Sequence, residues 1–431
     1  MDLLQPVIRP YAWGSRDGIA GLQGRPVPAS GPEAELWMGA HQSAPSSVER
    51  DGRAATLDDL IAADPARELG PRCVARFGSR LPFLLKVLSA AKALSIQVHP
   101  SRAQAQAGFA AENERGLAPG DPARNYVDDW PKPELLCALT PFEVLAGLRD
   151  PADAAAFLRA LDVPELRPLA ADLAAAAEFS AVARLSASAG PASAGPAVPG
   201  LAAAAGLEGS EAVAGALASI LCWPAGSRER LVGDVAAACA RLAPAGGPYA
   251  AACAAAVRVA GDHPGDLGVA ALPLLRHAVL LPGQAVFMPA GGLHAYLHGT
   301  GIEVLANSDN VVRAGLTGKH VDVPELLKLL DPAIPVPVLS PRQVAAGVSR
   351  WDTPAPEFGL YLIDPGAEVI ALPGAGPRIV LCTEGSVVLR AESGDAVKAS
   401  RGESCFVSAA DGAVAAAGPA RAFVACVGEL S

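Results

Sequence analysis

A short alternation of hydrophobic and polar residues, LSIQVHP, occupies residues 94–100. Side chains along a strand point alternately to its two faces, so the three apolar residues share one face while Ser95, Gln97 and His99 share the other. Pro100 ends the strand because proline has no backbone N–H to donate. The pattern predicts a short strand with one buried face, and one interpretation of it is an edge strand whose polar face is exposed to water. Its polar face is either solvated or part of a binding site, and this segment alone leaves both interpretations open.

The spacing of hydrophobic residues changes along the chain and divides it into strand-like and helical segments. Residues 1–150 mix strand-like segments with Pro and Gly turns, as in LPFLLKVLSA, which is rich in branched and aromatic residues. Alanine dominates residues 151–262, where the period becomes helical and the apolar residues of SRERLVGDVAAACARLA fall on one helical face. Within this part, the low-complexity residues 188–200 predict a surface loop. The strand pattern returns from residue 263.

These periods predict a mainly β fold with an α-helical insertion. The first β-domain comprises residues 1–150 and 263–335, and the Ala-rich helical insertion comprises residues 151–262. Residues 336–431 form a second β-domain, in which short strands alternate with Gly-rich turns. Such strands and turns are typical of a sandwich or a jelly roll.

The amino-acid composition and the net charge restrict the classes of function and partner that fit this chain. The net charge of −10 argues against a nucleic-acid partner and against binding to anionic membranes, since both need a broad basic surface. It does not exclude a small anionic substrate held by a local group of Lys and Arg. The eight cysteines include no CxxC pair, which indicates reduced thiols rather than a disulfide framework. Because neither a secretory signal nor an apolar run of about 18 residues is evident, we expect a cytoplasmic protein.

A second predicted strand that begins with a polar residue lies in GQAVFMPAGGLHAYLH, residues 283–298. The spacing of Gly283, Pro289, Gly291 and His294 resembles the second sequence motif of the cupin jelly-roll barrels. Glycine permits the tight turn and proline ends the preceding strand. The histidine then begins the next strand with its side chain pointing into the barrel. His294 therefore supplies a partner for the polar face of the opening segment.

A carboxylate completes the candidate site. In KPE, proline fixes the backbone between Lys132 and a glutamate, and the apolar run that follows predicts that this glutamate begins a buried strand. A buried carboxylate needs a cation. The candidate metal ligands are Gln97, His99, Glu134 and His294. Two imidazoles, a carboxylate and an amide oxygen suit Zn²⁺ with one position open for water or substrate.

Several longer segments resemble the type I mannose-6-phosphate isomerases (phosphomannose isomerases). HAYLHGTGIEVLANSDNVVRAGLTGKHVDVPELL, residues 294–327, is similar to the long signature of that family, and PKPELLCALTPFEVLAGLR is similar to its shorter one. LPFLLKVLSAAKALSIQVHP, YAWGS and ELWMGAHQSAPS add to the resemblance, which covers residues 1–150 and 265–335. It implies zinc-dependent interconversion of D-mannose 6-phosphate and D-fructose 6-phosphate through a cis-enediol, linking glycolytic sugar phosphate to mannose and GDP-mannose metabolism.

The resemblance also implies roles for individual residues. It places one Zn²⁺ per chain at the four candidate ligands and an essential arginine at Arg313. The residues that match positions lining the sugar-phosphate pocket of the family are Lys92, Ser95, Lys132, Glu303 and Lys319. The metal and the arginine would stabilise the negative charge of an enediolate. The general base is Glu303, Lys132 or a water held by the metal, and the sequence leaves this choice open.

Some of these residues also have a purely structural interpretation. Glu303 is a possible ion-pair partner of Arg313, and Lys132 is a possible solvated turn lysine. Lys86, inside FLLKVL, either reaches solvent or pairs with a carboxylate of the pocket. His298 is expected to be a hydrogen-bonded polar residue rather than a further metal ligand.

The second β-domain repeats part of the motif without its ligand. GESCFVSAADGA places Ser408 and Ala413 at the same offsets from Gly402 that Pro289 and His294 have from Gly283 in the first motif. We interpret this as a decayed copy of the same turn. It predicts a cupin barrel that carries the metal in the first β-domain and a metal-free jelly roll at the C-terminal end.

Other functions remain open at this point. Two histidines and a carboxylate in a cupin can hold Fe²⁺ for oxygen chemistry, although the Arg and Lys set suits a phosphate better. A non-catalytic sugar-binding cupin and an isomerase for a related aldose phosphate are further alternatives. We expect a small sugar phosphate as the partner, with the chain acting as a monomer.

Overall fold

The computed structural model describes residues 1–188 and 200–429, with side chains described for residues 1–181 and 209–429. The surface loop expected at residues 188–200 therefore lies almost entirely outside the described residues. The strands of the described residues are β1 (Asp2–Leu4), β2 (Val7–Arg9), β3 (Glu35–Met38), β4 (Ser47–Arg50), β5 (Arg53–Thr56), β6 (Phe83–Ala90), β7 (Ile96–Val98), β8 (Glu134–Ala138), β9 (Phe142–Leu148), β10 (Leu275–Leu280), β11 (Ala285–Met288), β12 (His294–Ala306), β13 (Val312–Gly315), β14 (Val338–Leu339), β15 (Arg342–Ala345), β16 (Val348–Trp351), β17 (Gly359–Ile363), β18 (Val369–Ala371), β19 (Arg378–Ala391), β20 (Ala396–Ser400), β21 (Ser404–Val407), β22 (Val414–Ala417) and β23 (Ala420–Cys426).

The α-helices of the same residues are α1 (Gly18–Leu22), α2 (Leu57–Ala63), α3 (Pro65–Leu69), α4 (Pro71–Phe77), α5 (Arg102–Glu114), α6 (Pro151–Leu161), α7 (Arg167–Ser188), α8 (Gly200–Leu221), α9 (Arg228–Leu242), α10 (Ala250–Asp262), α11 (Leu267–Ala271) and α12 (Val323–Leu329). The fold is thus mainly β with several helices. Helices α6 to α10 span residues 151–262, the Ala-rich segment whose hydrophobic period predicted helices. Within the described chain, no helix is both long and apolar enough to cross a membrane. All eight cysteines are free, seven of them buried and Cys222 exposed.

An open eleven-stranded sheet holds the segments that carry the candidate ligands. Its main path runs β14–β11–β8–β12–β6–β3–β2, and each pair of neighbours is antiparallel. β6 and β8 are buried along their whole length. Strands buried on both faces have continuous apolar runs rather than alternation, which accounts for the sequences FLLKVLSA and ELLCA.

The long strand β12 carries two sets of pairings. Its first residues pair with β7 and β9, and its later residues pair with β6 and β8. The register shifts between Tyr296 and His298, directly before Gly299. Gly299 has φ +126°, and a Cβ there would lie 2.7 Å from the carbonyl oxygen of Pro141. Glycine is therefore required where β12 changes partners.

Strand β7 is paired on both sides, so the interpretation of this segment as an edge strand is wrong. Gln97 lies opposite His294 of β12 on one side and opposite Arg313 of β13 on the other. On the apolar face, Ile96 and Val98 are fully buried in a core cluster that includes residues of α6, α8, α9 and α10. Burial contributes roughly 1.5–3 kcal/mol for each such side chain, so the helical part holds the polar face of β7 towards the opposite side.

A second, ten-stranded sheet is formed mainly by the C-terminal part of the chain. The first half of β19 pairs with β21 and β23, and its second half pairs with β20 and β22. This division resembles that of β12 in the first sheet. β1 also belongs to this sheet, since Asp2 lies opposite Phe406 of β21. The two sheets share one apolar core cluster, which contains Phe83 of β6 and Phe358 just before β17.

Candidate metal centre and its pocket

The candidate ligands come together because three strands begin or end at the same place. Gln97 lies in β7, and His99 follows the end of that strand. Glu134 is the first residue of β8 and His294 is the first residue of β12. His99, Glu134 and His294 are each at most 1 % exposed. One ligand atom from each of these three side chains lies within 4.8 Å of the others.

The Glu134 carboxylate lies between the two imidazoles. Its Oε1 is 3.3 Å from Nε2 of His99, and its Oε2 is 3.3 Å from Nε2 of His294. Within the described residues, His99 Nε2 and Glu134 Oε2 make no hydrogen bond although both atoms are buried. A buried nitrogen lone pair and a buried carboxylate oxygen without partners are costly, and a bound cation would satisfy both. The donor set therefore fits a metal ion such as Zn²⁺.

Hydrogen bonds on the far side of each ring set the orientation of the two imidazoles. Nδ1 of His99 lies 2.7 Å from the carbonyl oxygen of Asn310, and Nδ1 of His294 lies 3.1 Å from the carbonyl oxygen of Gly292. Carbonyl oxygens only accept hydrogen bonds, so each Nδ1 carries the ring proton and donates it. Both rings consequently offer an Nε2 lone pair towards Glu134, as metal-binding histidines require.

Burial and neighbouring charges keep His99 neutral and Glu134 ionised, and these are the protonation states in which the two side chains bind a metal ion. Burial lowers the pKa of His99 to about 4, although Glu134 opposes this shift. Burial alone would raise the pKa of Glu134, but Lys132 and His99 outweigh it, so that pKa lies well below its ordinary value. Near neutral pH the site thus holds a neutral imidazole beside a carboxylate.

The fourth candidate, Gln97, lies beside His294. Its Nε2 is 3.2 Å from Nε2 of His294, and its Oε1 accepts a hydrogen bond from the Ser95 hydroxyl at 3.3 Å. A half-turn of the amide would exchange the two ends and present Oε1 at the same point. Gln97 is therefore placed to supply an oxygen ligand.

A pocket of about 560 Å³ opens beside these residues. The predicted site residues on its wall are Lys92, Ser95, Gln97, Lys132, Glu134, Glu303, Arg313 and Lys319. A larger cavity of about 780 Å³, between α4 and the C-terminal sheet, contains none of them. The smaller pocket is the one that combines a candidate metal centre with cationic side chains.

The cationic side chains of the pocket differ in their partners. Lys132 Nζ lies 3.0 Å from Glu134 Oε1. Arg313 is half-buried and makes no ion pair with the described residues, while burial lowers its pKa. Lys319 is exposed near Arg313, and both also line a neighbouring cavity of about 430 Å³. Lys92 lies at the rim, where its exposed ammonium is 3.1 Å from Asp262.

Lys86 pairs with carboxylates of the pocket, which was one of its two expected roles. Its Nζ lies 3.4 Å from Glu303 Oε2 and 3.4 Å from Glu35 Oε1. The structural interpretation of Glu303 as a partner of Arg313 is wrong, because the partner is Lys86. Burial and Glu134 raise the pKa of Glu303 to about 7 against the opposing effect of Lys86.

Sequence reasoning missed three residues of this wall. Glu35 and Trp37 come from β3, and the Trp37 indole N–H donates to Glu35 at 2.9 Å. The buried Tyr296 hydroxyl, two residues after His294, makes no hydrogen bond with the described residues. An alternation signal existed for Tyr296, since it lies on the same face of β12 as His294. Glu35 begins ELWMGAHQSAPS, one of the segments that resemble the family, but the sequence analysis gave its side chain no role in the pocket.

Comparisons with known proteins agree with this arrangement. A family model for the catalytic domain of type I phosphomannose isomerase matches residues 1–151. The chain is 34% identical to the mannose-6-phosphate isomerase of Salmonella typhimurium over 427 residues, which cover 98% of each protein. It is also 34% identical to the mannose-6-phosphate isomerase of Escherichia coli over 426 residues, again covering 98% of each.

Solved structures extend the similarity to the whole fold. A mutant of phosphomannose isomerase from Salmonella typhimurium superposes with a TM-score of 0.82 at 30% identity, covering 100% of both chains. Mannose 6-phosphate isomerase from the same organism, bound to its substrate fructose 6-phosphate and to zinc, gives a TM-score of 0.81 at 31% identity with the same coverage. Similarity at this level over the full length shows that the chain belongs to the type I phosphomannose isomerase family.

Proposed function

We propose that this chain, with one zinc ion bound, catalyses the reversible isomerisation of D-mannose 6-phosphate and D-fructose 6-phosphate. The observation that carries the proposal is the buried cluster of His99, Glu134 and His294, in which His99 Nε2 and Glu134 Oε2 make no hydrogen bond with the described residues. The wall of the adjacent pocket includes the cationic side chains of Lys132, Arg313 and Lys319. Relatives named for this activity that are similar over the full chain support the choice of substrate.

Four side chains would hold the zinc ion: Gln97, His99, Glu134 and His294. When bound, zinc would supply a positive charge that stabilises negative charge on the oxygens of the substrate. Gln97 is included because its amide can present an oxygen beside His294. A substrate oxygen would then bind as a further ligand, since zinc can expand its coordination from four to five.

The remaining pocket residues would bind and orient the sugar phosphate. Arg313 stays protonated at neutral pH and has no competing ion pair among the described residues, so its charge is available to the enediolate. Lys319 and Lys92 would attract the phosphate from the rim, with the Ser95 hydroxyl as a neutral donor. In an acidic protein, this local group of cations accounts for binding of an anionic substrate.

The isomerisation moves a proton between C2 and C1 of the sugar phosphate, so it needs one base that reaches both carbons. In the direction from aldose to ketose, the base removes the proton from C2, the electron pair of that bond forms C1=C2, and the π pair of the C1 carbonyl moves to O1. The O2 hydroxyl proton then passes to O1, the electron pair left on O2 forms the C2 carbonyl, and the C1=C2 pair takes up a proton at C1. The same group returns the proton to C1. Glu303, in the pocket wall, and Lys132, next to Glu134, are the candidate bases.

We further propose the arrangement of the chain. Residues 1–150 and 263–335 form a cupin barrel that carries the metal, residues 151–262 form a helical insertion, and residues 336–431 form a metal-free jelly roll. The similar division of pairings in β12 and β19 supports two related β-domains. We expect a cytoplasmic monomer that supplies mannose phosphate for GDP-mannose synthesis.

A coupled assay of mannose 6-phosphate conversion tests the proposal. We expect activity to disappear after chelation, to return with Zn²⁺, and to fall by about a hundredfold or more in Arg313→Ala and His294→Ala. His298→Ala is the matched control, because this exposed histidine lies on the same strand outside the pocket. Metal-loaded protein without isomerisation would overturn the substrate, and the absence of bound metal would overturn the centre itself.

A further inference from the structure

Asn310 lies behind the candidate metal centre, fully buried between β12 and β13. Its backbone carbonyl oxygen accepts the hydrogen bond from Nδ1 of His99. The tautomer and ring orientation of His99 therefore depend on where this carbonyl points. No atom of Asn310 lines the pocket, so the residue has no direct access to a substrate there.

The side chain of Asn310 is clamped to the segment that leads into Glu134. Its Oδ1 accepts hydrogen bonds from the backbone N–H groups of Val127 and Asp128, at 2.7 Å and 3.2 Å. Its Nδ2 donates to the carbonyl oxygens of Asp128 and Trp130, both at 2.8 Å. The amide thus uses both its acceptor and its donor capacity on one short segment.

Neighbouring residues reinforce the same clamp. The Ser308 hydroxyl donates to Asp128 Oδ1 at 2.8 Å and accepts from the backbone N–H of Asn310 at 3.2 Å. The backbone N–H of Asp309 donates to Asp128 Oδ2 at 2.9 Å. The turn at residues 308–310 and the segment at residues 127–130 therefore form one hydrogen-bonded unit, which touches His99 on one side and continues into Glu134 on the other.

We infer that Asn310 is a positioning residue for the metal centre. Its side chain fixes the segment that presents Glu134, and its carbonyl holds His99 in the tautomer that offers Nε2 to a metal. The inference rests on the proposed function, since that function supplies the metal. Outer partners of this kind typically change metal affinity by about ten- to a hundredfold when they are removed.

Asn310→Asp is the sharpest variant because it keeps the shape of the side chain and removes both donors. A carboxylate would then face the carbonyl oxygens of Asp128 and Trp130, which cannot donate to it. Asn307→Asp is the matched control. Asn307 lies three residues earlier, donates to the carbonyl of Leu81 at 3.2 Å, and makes no hydrogen bond to residues 127–130.

Two measurements separate positioning from a general loss of stability. Zinc affinity is measured by competition with a chromophoric chelator, and the ¹⁵N ring resonances of histidine-labelled, metal-free protein report the tautomer of His99. We expect Asn310→Asp to weaken zinc binding about ten- to a hundredfold and to introduce the Nε2–H tautomer of His99. The control should change neither. The thermal midpoint verifies that each variant is folded.

The outcomes distinguish the inference from the proposed function. Wild-type protein that binds no zinc would overturn the proposed function, whereas the ring resonances would still decide whether Asn310 sets the tautomer of His99. Folded Asn310→Asp with wild-type zinc affinity and an unchanged tautomer would overturn the inference. If Asn310→Asp does not fold, Ser308→Ala loosens the same clamp more mildly and should shift both readouts in the same direction.

Discussion

At the scale of single residues, Lys86 balances the charge of the pocket. It is buried between Glu35 and Glu303, and its ammonium lies 4.9 Å from the centroid of the Trp37 ring. Burial alone would lower the pKa of Lys86, but the two carboxylates outweigh it and raise that pKa. Lys86 therefore remains charged and keeps two buried carboxylates paired.

Replacing Lys86 should be costly for this reason. In Lys86→Met, two buried carboxylates lose their cation, and breaking a buried pair in this way costs about 3–5 kcal/mol. Denaturant unfolding followed by tryptophan fluorescence measures the loss of stability. Lys92→Met is the control, because the exposed pair of Lys92 with Asp262 is worth only about 0–1 kcal/mol. Equal stability of the two variants would contradict the assigned role of Lys86.

The residues of the site differ in how far the sequence reveals them. His99, Glu134 and His294 stand at strand ends marked by proline, glycine and apolar runs, so each has a local signal. The pairing of Lys86 with Glu303 has no such signal. It follows from the register of β6 against β12, which places these two residues opposite each other although they are far apart in sequence.

At the scale of elements, β12 joins the metal centre to the pocket wall. It begins with His294, changes partners near Gly299 and then carries Glu303. The sequence pattern predicted its start but not its double pairing, and it missed that β13 covers the second edge of β7. Both features depend on contacts between distant segments, which periodicity in a single segment does not contain.

Gly299→Ala should distort this strand. The positive φ at Gly299 and the close approach of Pro141 O leave no room for a methyl group, and backbone strain of this kind costs about 1–3 kcal/mol. We expect a lower thermal midpoint. Gly215→Ala in α8 is the control, since a Cβ there meets nothing within 4 Å and alanine favours a helix. A Gly299→Ala protein as stable as the wild type would show that β12 tolerates a different bend.

At the scale of the whole molecule, the two sheets are joined by a common core. Phe287 of β11 and Phe358 before β17 lie with ring centroids 6.4 Å apart. Phe358 belongs to the core cluster that also contains Leu135 of β8, and the partly buried Phe287 packs against that cluster. β1 adds a backbone connection from the N-terminal residues to β21. The spacing of hydrophobic residues predicted which segments are strands and which are helices, but it did not predict that the two sheets pack against each other. An apolar strand does not specify which sheet will cover it.

The shared core leads us to expect that the two sheets lose structure together. Phe358→Ala would remove a fully buried ring from the C-terminal part, and such truncations cost about 3–5 kcal/mol. Because the lost contacts lie between the sheets, amide hydrogen exchange followed by mass spectrometry should show faster exchange in β8 as well as in β23. Val369→Ala is the control, since that side chain is 71 % exposed and should leave both strands protected. Faster exchange confined to β23 would mean that the C-terminal sheet opens independently, and that the metal centre at the start of β8 does not depend on it.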